Sequence, residues 1–412
     1  MKKAFIFALA LSMVFSMVTF AAAEDRLSLS GDIRIRYFYQ DDRDWNGDAE
    51  DSVNYFDQRL RMGTRIQVMD GIAIRLRVDW QETQWGQNTG LFGRPTAATD
   101  DDAAVQIDRA FLQINKPMFD FLIGHIAQYW GHSSAYGPQE MGMALTVKTP
   151  VELVFNYFKL TENGSLNDDE WNDDRDMYAL KATYPNDSPR TVNKVGAYVA
   201  MINDSTDADD SPYLVGLFGG YNFGSVVLKS SLDFFGGDDG NNEYMGTQFW
   251  AGLDFPISKM LTAAFNFYYA LGTDDPTETQ LDQIHTRFGG FEGPVMERSF
   301  FGETDSINAL GNSTPFKPFG GGENSGVVGA DAVVIYKFTP EFAAAGQLGY
   351  YAAEEDDATT FDSLFAITGA FEWTFAKGSH LVLIGSYGIP DKDASVADDE
   401  KMEFVSILKV KY

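Results

Sequence analysis

The chain has 412 residues, with 31 Lys and Arg against 60 Asp and Glu, a net charge of −29, no Cys and 14% aromatic side chains. That balance excludes a nucleic-acid partner, whose phosphates would be repelled, and the missing Cys excludes disulfides and thiolate metal centres. So high an aromatic content also excludes a disordered acidic chain.

Residues 1–23 read as a cleavable secretory signal. MKK is followed by the apolar run Ala4 to Phe20 and then by Ala21-Ala22-Ala23. A basic start, an apolar stretch and small residues at the cleavage point are the marks of such a signal. The run is long enough to leave an uncleaved anchor open. No later segment reaches the ~18 continuous apolar residues of a membrane helix. Residues 24–412 are expected to form one domain.

That domain begins with two alternating runs. Leu27, Leu29, Ile33, Ile35, Tyr37 and Tyr39 alternate with Ser28, Ser30, Asp32, Arg34 and Arg36. Phe56, Leu60, Met62, Ile66 and Val68 then alternate with Asp57, Arg59, Arg61, Arg65 and Gln67. A period of two over such lengths predicts strands longer than the ~5–6 residues usual in soluble sheets. The pattern continues over 72–86, 103–117, 119–131, 142–150, 151–162, 175–186, 191–203, 211–223 and 225–236. It resumes over 243–256, 259–272, 327–339, 341–354, 361–376, 379–389 and 400–412, which makes eighteen strands, or sixteen if boundaries such as Thr149-Pro150 fail.

The connections are of two kinds. Met69-Asp70-Gly71, Lys116-Pro117-Met118, Phe223-Gly224-Ser225 and Lys377-Gly378-Ser379 are short, whereas "NDDEWNDDRD", "NDSTDADDS" and "AEEDDATTFD" are long and acidic. Short turns on one side and long loops on the other predict an all-β fold, a transmembrane antiparallel up-and-down β-barrel. Its short turns are expected in the periplasm and its acidic loops outside the cell. The last strand ends in Tyr412, with Val410, Leu408, Phe404 and Met402 on the same face. Trp80, Phe371, Trp373 and Phe375 fall on the lipid side near strand ends, as an aromatic belt requires.

With the apolar residues outward, Arg34, Arg36, Arg59, Arg61, Arg65, Arg75 and Arg77 line the lumen together with Asp57 and Asp79. A two-residue Asp70-Gly71 turn would set outward Ile74 against inward Gln67 and invert the faces. A three-residue turn with Gly71 left-handed restores them, placing Arg65 beside Arg75 and Arg61 beside Asp79. Like charges directly opposite are destabilising. The basic strip therefore either finds carboxylate counter-charges or attracts passing anions.

Two loops carry further candidates. Asp274 to Gly326 far exceeds the ~12–15 residues beyond which a loop is functional or disordered. Its Phe residues need a dry place to pack, which predicts a constriction bringing Glu292, Glu297, Arg298 and Glu303 near the pore. An extracellular flap is the alternative. In "DDRDWNGDAED", Asp42, Asp44 and Asn46 take the first positions of a calcium-loop pattern, but Val53 stands where its bidentate Glu belongs. The loop is then either a metal site or a solvated acidic tip. No cofactor is expected beyond divalent cations shared between acidic loops and lipopolysaccharide phosphates. The four histidines, His125, His132, His285 and His380, form no catalytic pattern, so no enzyme is expected.

The stretches "RIRYFYQDD", "FDQRLRMGTRIQV", "IRLRVDWQETQWG" and "IDRAFLQINKPMFDFLIGHIAQYWG" resemble Gram-negative outer-membrane porins. The resemblance extends more loosely to the alginate-export type of eighteen-stranded barrel. It implies a channel in the cell outer membrane, in contact with lipid and lipopolysaccharide, without identifying the solute. The arginines add the expectation of passive diffusion of small hydrophilic solutes, with anionic ones as one option. An exporter of an acidic polysaccharide, or a plugged barrel acting as adhesin or partner sleeve, is the alternative, and a homo-oligomer stays open. The alginate-export type commonly carries Gly-Arg-Gln in its fifth strand, where this chain reads Gly124-His125-Ile126.

Overall fold

The computed structural model describes residues 26–41, 52–85, 105–130, 135–162, 174–185, 193–204, 211–238, 243–271, 327–352, 363–391 and 400–412. These form eighteen strands. The first six are β1 (Leu27–Asp41), β2 (Val53–Met69), β3 (Ile72–Gln84), β4 (Val105–Asn115), β5 (Phe119–Trp130) and β6 (Ala135–Lys148). Next come β7 (Glu152–Glu162), β8 (Asp174–Tyr184), β9 (Lys194–Asp204), β10 (Tyr213–Asn222), β11 (Val227–Asp238) and β12 (Glu243–Pro256). The last are β13 (Leu261–Ala270), β14 (Val327–Lys337), β15 (Phe342–Ala352), β16 (Ser363–Ala376), β17 (Ser379–Pro390) and β18 (Lys401–Lys411).

Each strand pairs antiparallel with its neighbours in sequence, and β1 also pairs with β18, so the sheet closes on itself. At the seam Gly31 and Tyr412 exchange backbone bonds of 3.3 and 3.1 Å. Closure leaves no free edge, which a sheet in hydrocarbon cannot tolerate. The strands run from 10 to 17 residues, enough for the ~9–11 that cross a bilayer.

The faces follow the alternation. Ile33, Phe56, Met62, Ile74, Phe404 and Leu408 are exposed on the outside, while Asp32, Arg34, Asp57, Arg59 and Asp79 are buried within. Aromatic rings band both ends of the outer face. Trp373 stacks on Phe342 at 6.0 Å near the short turns, and Phe56 packs between Tyr37 and Trp85 at 4.9 and 5.0 Å near the opposite end.

Arg65 faces Arg75 and Arg61 faces Asp79, as expected, but Met69 itself pairs with Ile72 and a register shift between Gln67 and Met69 restores the alternation; Gly71 has φ 72°. Positive φ there suits glycine, which has no Cβ to clash. Two further expectations needed adjusting. β6 starts at Ala135 rather than near 142, running through Gly137-Pro138, where the alternation is unreadable because one residue has no side chain and the other no donor. A register shift between Ala127 and Tyr129 accommodates the extension. The long-and-short rule also has exceptions: 131–134 and 239–242 are brief connections on the long-loop side, and 185–193 is an extended one on the short-turn side.

The signal segment 1–23, the acidic tip with Asp42, Asp44 and Asn46, and the 274–326 loop with Glu292, Glu297, Arg298 and Glu303 lie outside the described residues.

Candidate functional site: an arginine wall inside the barrel

Alternation in β1, β2 and β3 turns every second residue inward, and arginine occupies many of those places. Arg34, Arg36, Arg59, Arg61, Arg65, Arg75 and Arg77 all lie on the inner face, as do Asp57 and Asp79. Arg34 and Arg59, opposite each other across β1 and β2, are both buried, and the other five arginines fall into two groups by their partners.

The first group is neutralised by carboxylates on adjacent strands. Arg36 grips Asp57, with Nε to Oδ1 at 3.0 Å and Nη2 to Oδ2 at 2.6 Å. Arg61 holds Asp79 the same way, Nε to Oδ1 at 2.7 Å. Such two-point contacts fix the plane of the guanidinium as well as its charge. Asp108 on β4 then serves three cations at once: it accepts from Arg77 Nε and lies 3.8 Å from Arg61 and 3.5 Å from Arg109.

Asp108 and Arg109 were not anticipated from the sequence. They are consecutive, and strict alternation would send one of them to the lipid. A bulge between Arg77 and Val78 in the β3–β4 pairing sets Arg77 against Arg109 and Val78 against Ile107, leaving Asp108 as the extra residue. An extra residue lets two neighbouring side chains face the same side. The available signal was chemical: neither Asp nor Arg is tolerated at mid-depth in hydrocarbon.

The second group is the pair Arg65 and Arg75, directly opposite each other near the short turns. Arg75 Nε donates to Gln113 Oε1 at 3.0 Å. Among the described residues neither has a carboxylate partner. Both line a cavity of about 710 Å³ with Gln113, Lys116 and Lys148. They also line a second cavity, of about 340 Å³, with Arg77, Arg109, Phe111 and Leu122.

Away from this wall the inner face changes character. Phe158, Met177, Ile202 and Leu214 on β7 to β10 are 0% exposed and join Tyr198, Phe218 and Phe235 in one apolar cluster. Val333, Ile335, Val382, Ile384 and Ile407 form another on β14 to β18. Between them sit buried carboxylates held by neutral donors. Tyr198 crosses Gly216, where no Cβ would fit, and its hydroxyl donates to Asp233, which also accepts from Gln248 Nε2 at 3.1 Å. Asn266 Nδ2 donates to Asp331 at 2.8 Å, and Tyr351 reaches the same carboxylate across Gly349. These residues were also missed. A lone Asp in an otherwise uncharged stretch of a strand, as in "GADAVVIY", was the sign that it must point away from lipid.

At Gly124-His125-Ile126, Ile126 is buried inside and His125 pairs in register with Met141, whose side chain is exposed on the outer face. The described part of β5 therefore brings no arginine to the inner face.

No protein-family model and no curated protein matches the chain. Solved structures do. OccK9 (OpdG) of Pseudomonas aeruginosa is 14% identical and superposes with a TM-score of 0.61 over 94% of this chain and 99% of its own. A BenF-like porin of Pseudomonas fluorescens Pf-5 is 12% identical, with a TM-score of 0.60 over 94% and 98%. OpdK of Pseudomonas aeruginosa, solved with vanillate, is 12% identical, with a TM-score of 0.53 over 93% and 99%. None of these three is of the alginate-export type, and that finer part of the resemblance gains no support from them. The chain has the fold of an outer-membrane porin, closed by eighteen strands.

Proposed function

We propose that this chain is a porin of the Gram-negative outer membrane, passing small hydrophilic solutes and favouring those with a carboxylate. The observation that carries the reading is the inner wall of β1 to β4. Among the described side chains, Arg34, Arg36, Arg59, Arg61, Arg65, Arg75, Arg77 and Arg109 share it with Asp32, Asp57, Asp79 and Asp108. An excess of fixed positive charge beside a water path raises the local concentration of anions and sets the sign of selectivity. Where Phe111 and Leu122 border the arginines, an apolar solute body has somewhere to lie while its carboxylate meets guanidinium. Vanillate, the molecule solved with the OpdK barrel, is a solute of that kind.

The secretory reading of residues 1–23, the pore-narrowing reading of the 274–326 loop and contact with lipopolysaccharide belong to the same proposal. So does the cation-sharing role of the acidic outer loops.

Planar-bilayer recording of the purified barrel tests it. Ohmic conductance is expected, with a reversal potential in a KCl gradient on the chloride side of zero. A silent barrel removes the channel reading, and a potassium-side reversal potential removes the anion preference while leaving the channel.

A further inference from the structure

We infer that Arg65 and Arg75, with Lys116 and Lys148, form a binding subsite for a compact dianion at the short-turn end of the lumen. This deepens the reading of the barrel as an anion-favouring channel and rests on it.

The arginines of the inner wall are not equivalent. Arg36, Arg61 and Arg77 each spend their charge on a carboxylate: Asp57, Asp79 and Asp108. Arg65 and Arg75 stand opposite each other across the β2–β3 ladder without one among the described residues. Opposed side chains in an antiparallel pair are separated by only about 5 Å at Cβ, so the repulsion is held in place by the backbone. A bound anion relieves it.

The rest of the cavity favours the same occupant. Lys148 Nζ lies 2.7 Å from Asp120 and 3.2 Å from the Lys116 carbonyl, and Lys116 Nζ lies 3.3 Å from the Asp70 carbonyl. Arg65, Arg75, Lys116 and Lys148 against Asp70 and Asp120 leave two positive charges, which a dianion balances. Gln113 holds Arg75 by its side-chain oxygen at 3.0 Å, which orients the guanidinium without neutralising it. The volume, about 710 Å³, admits a hydrated phosphate or a short dicarboxylate with room for exchange. A guanidinium fork matches two oxygens of either.

The test is calorimetric titration of the full-length barrel in detergent, at about pH 8 where phosphate carries close to two charges. Sodium phosphate, succinate and acetate are the probes. Saturable binding of phosphate or succinate is expected, at least about tenfold tighter than acetate, and the two dianions separate an inorganic oxyanion from a dicarboxylate as occupant. R65Q/R75Q is expected to lose about tenfold or more in that affinity. It should also unfold no earlier than the parent in ligand-free buffer, because it removes a like-charge pair. K229Q, which breaks the neutralised Lys229–Asp254 pair at 2.9 Å on β11 and β12, away from the arginine wall, is expected to bind the dianion unchanged. Unboiled gel mobility confirms that each variant is a folded barrel.

Absence of saturable binding by either dianion overturns the subsite. So does binding that survives R65Q/R75Q, equal loss in K229Q, or acetate binding as tightly as phosphate. These heats are read with no current flowing. A failure here leaves the channel reading standing, and a silent bilayer leaves these heats to stand or fall by themselves.

Discussion

Replacing Asp108 with Ala is expected to shift the reversal potential further toward chloride and to weaken the barrel together. Asp108 is the shared carboxylate of Arg77, Arg61 and Arg109. Without it, Arg61 retains Asp79, but Arg77 and Arg109 face each other across β3 and β4 with that carboxylate gone. Removing one partner of a fully buried ion pair costs ~3–5 kcal/mol. Here the three guanidinium side chains keep 18–28% exposure toward the lumen, so water recovers part of that loss. A cost of about 2 kcal/mol is expected, read as an earlier midpoint in urea with the protein in detergent. Asp108→Asn keeps an acceptor for Arg77 and should recover part of the stability while showing the same selectivity shift. If Asp108→Ala leaves the reversal potential where it was, permeating ions do not sense this wall, and the anion preference loses its basis.

Gly31→Val should prevent most of the chain from closing into a barrel. Gly31 faces Tyr412 across the seam, and a Cβ there would come closer than 3.0 Å to the backbone carbonyl of Arg61 and to the Tyr412 ring. The ring can swing away. The carbonyl cannot, because it belongs to the β1–β2 ladder. Overpacking of this kind costs about 3 kcal/mol, and it falls where the first and last strands must meet. Three glycines on the outer face provide the contrast. Gly346, Gly369 and Gly385 stand in register on β15, β16 and β17, with nothing within 4 Å of an added Cβ. Gly369→Val should leave the folded fraction unchanged, since the new methyls meet only lipid. The measurement is the ratio of folded to unfolded bands on unboiled gels after refolding into detergent. Equal ratios for the two variants would show that the seam is not the sensitive place.

The sequence by itself determined the fold class and the facing of its side chains. A period of two, sustained over strands this long, has one solution when oil lies on one side and solvent on the other. It fixed the outward places of Phe56, Phe371 and Trp373 and the inward places of Arg34, Arg59 and Arg61. It also determined the Arg65–Arg75 apposition, because a wrong register would have inverted every face beyond Gly71.

Tertiary structure alone decided which of those arginines keep their charge. A bulge in the β3–β4 pairing brought Asp108 and Arg109 inside, and a period-two reading has no place for a bulge. The tyrosines that cross glycine to reach Asp233 and Asp331 depend on register between strands far apart in the chain. Alternation is a property of one strand and can be read along it, whereas neutralisation needs an opposite charge a few ångströms away on another strand. Only closure of the barrel sets those distances.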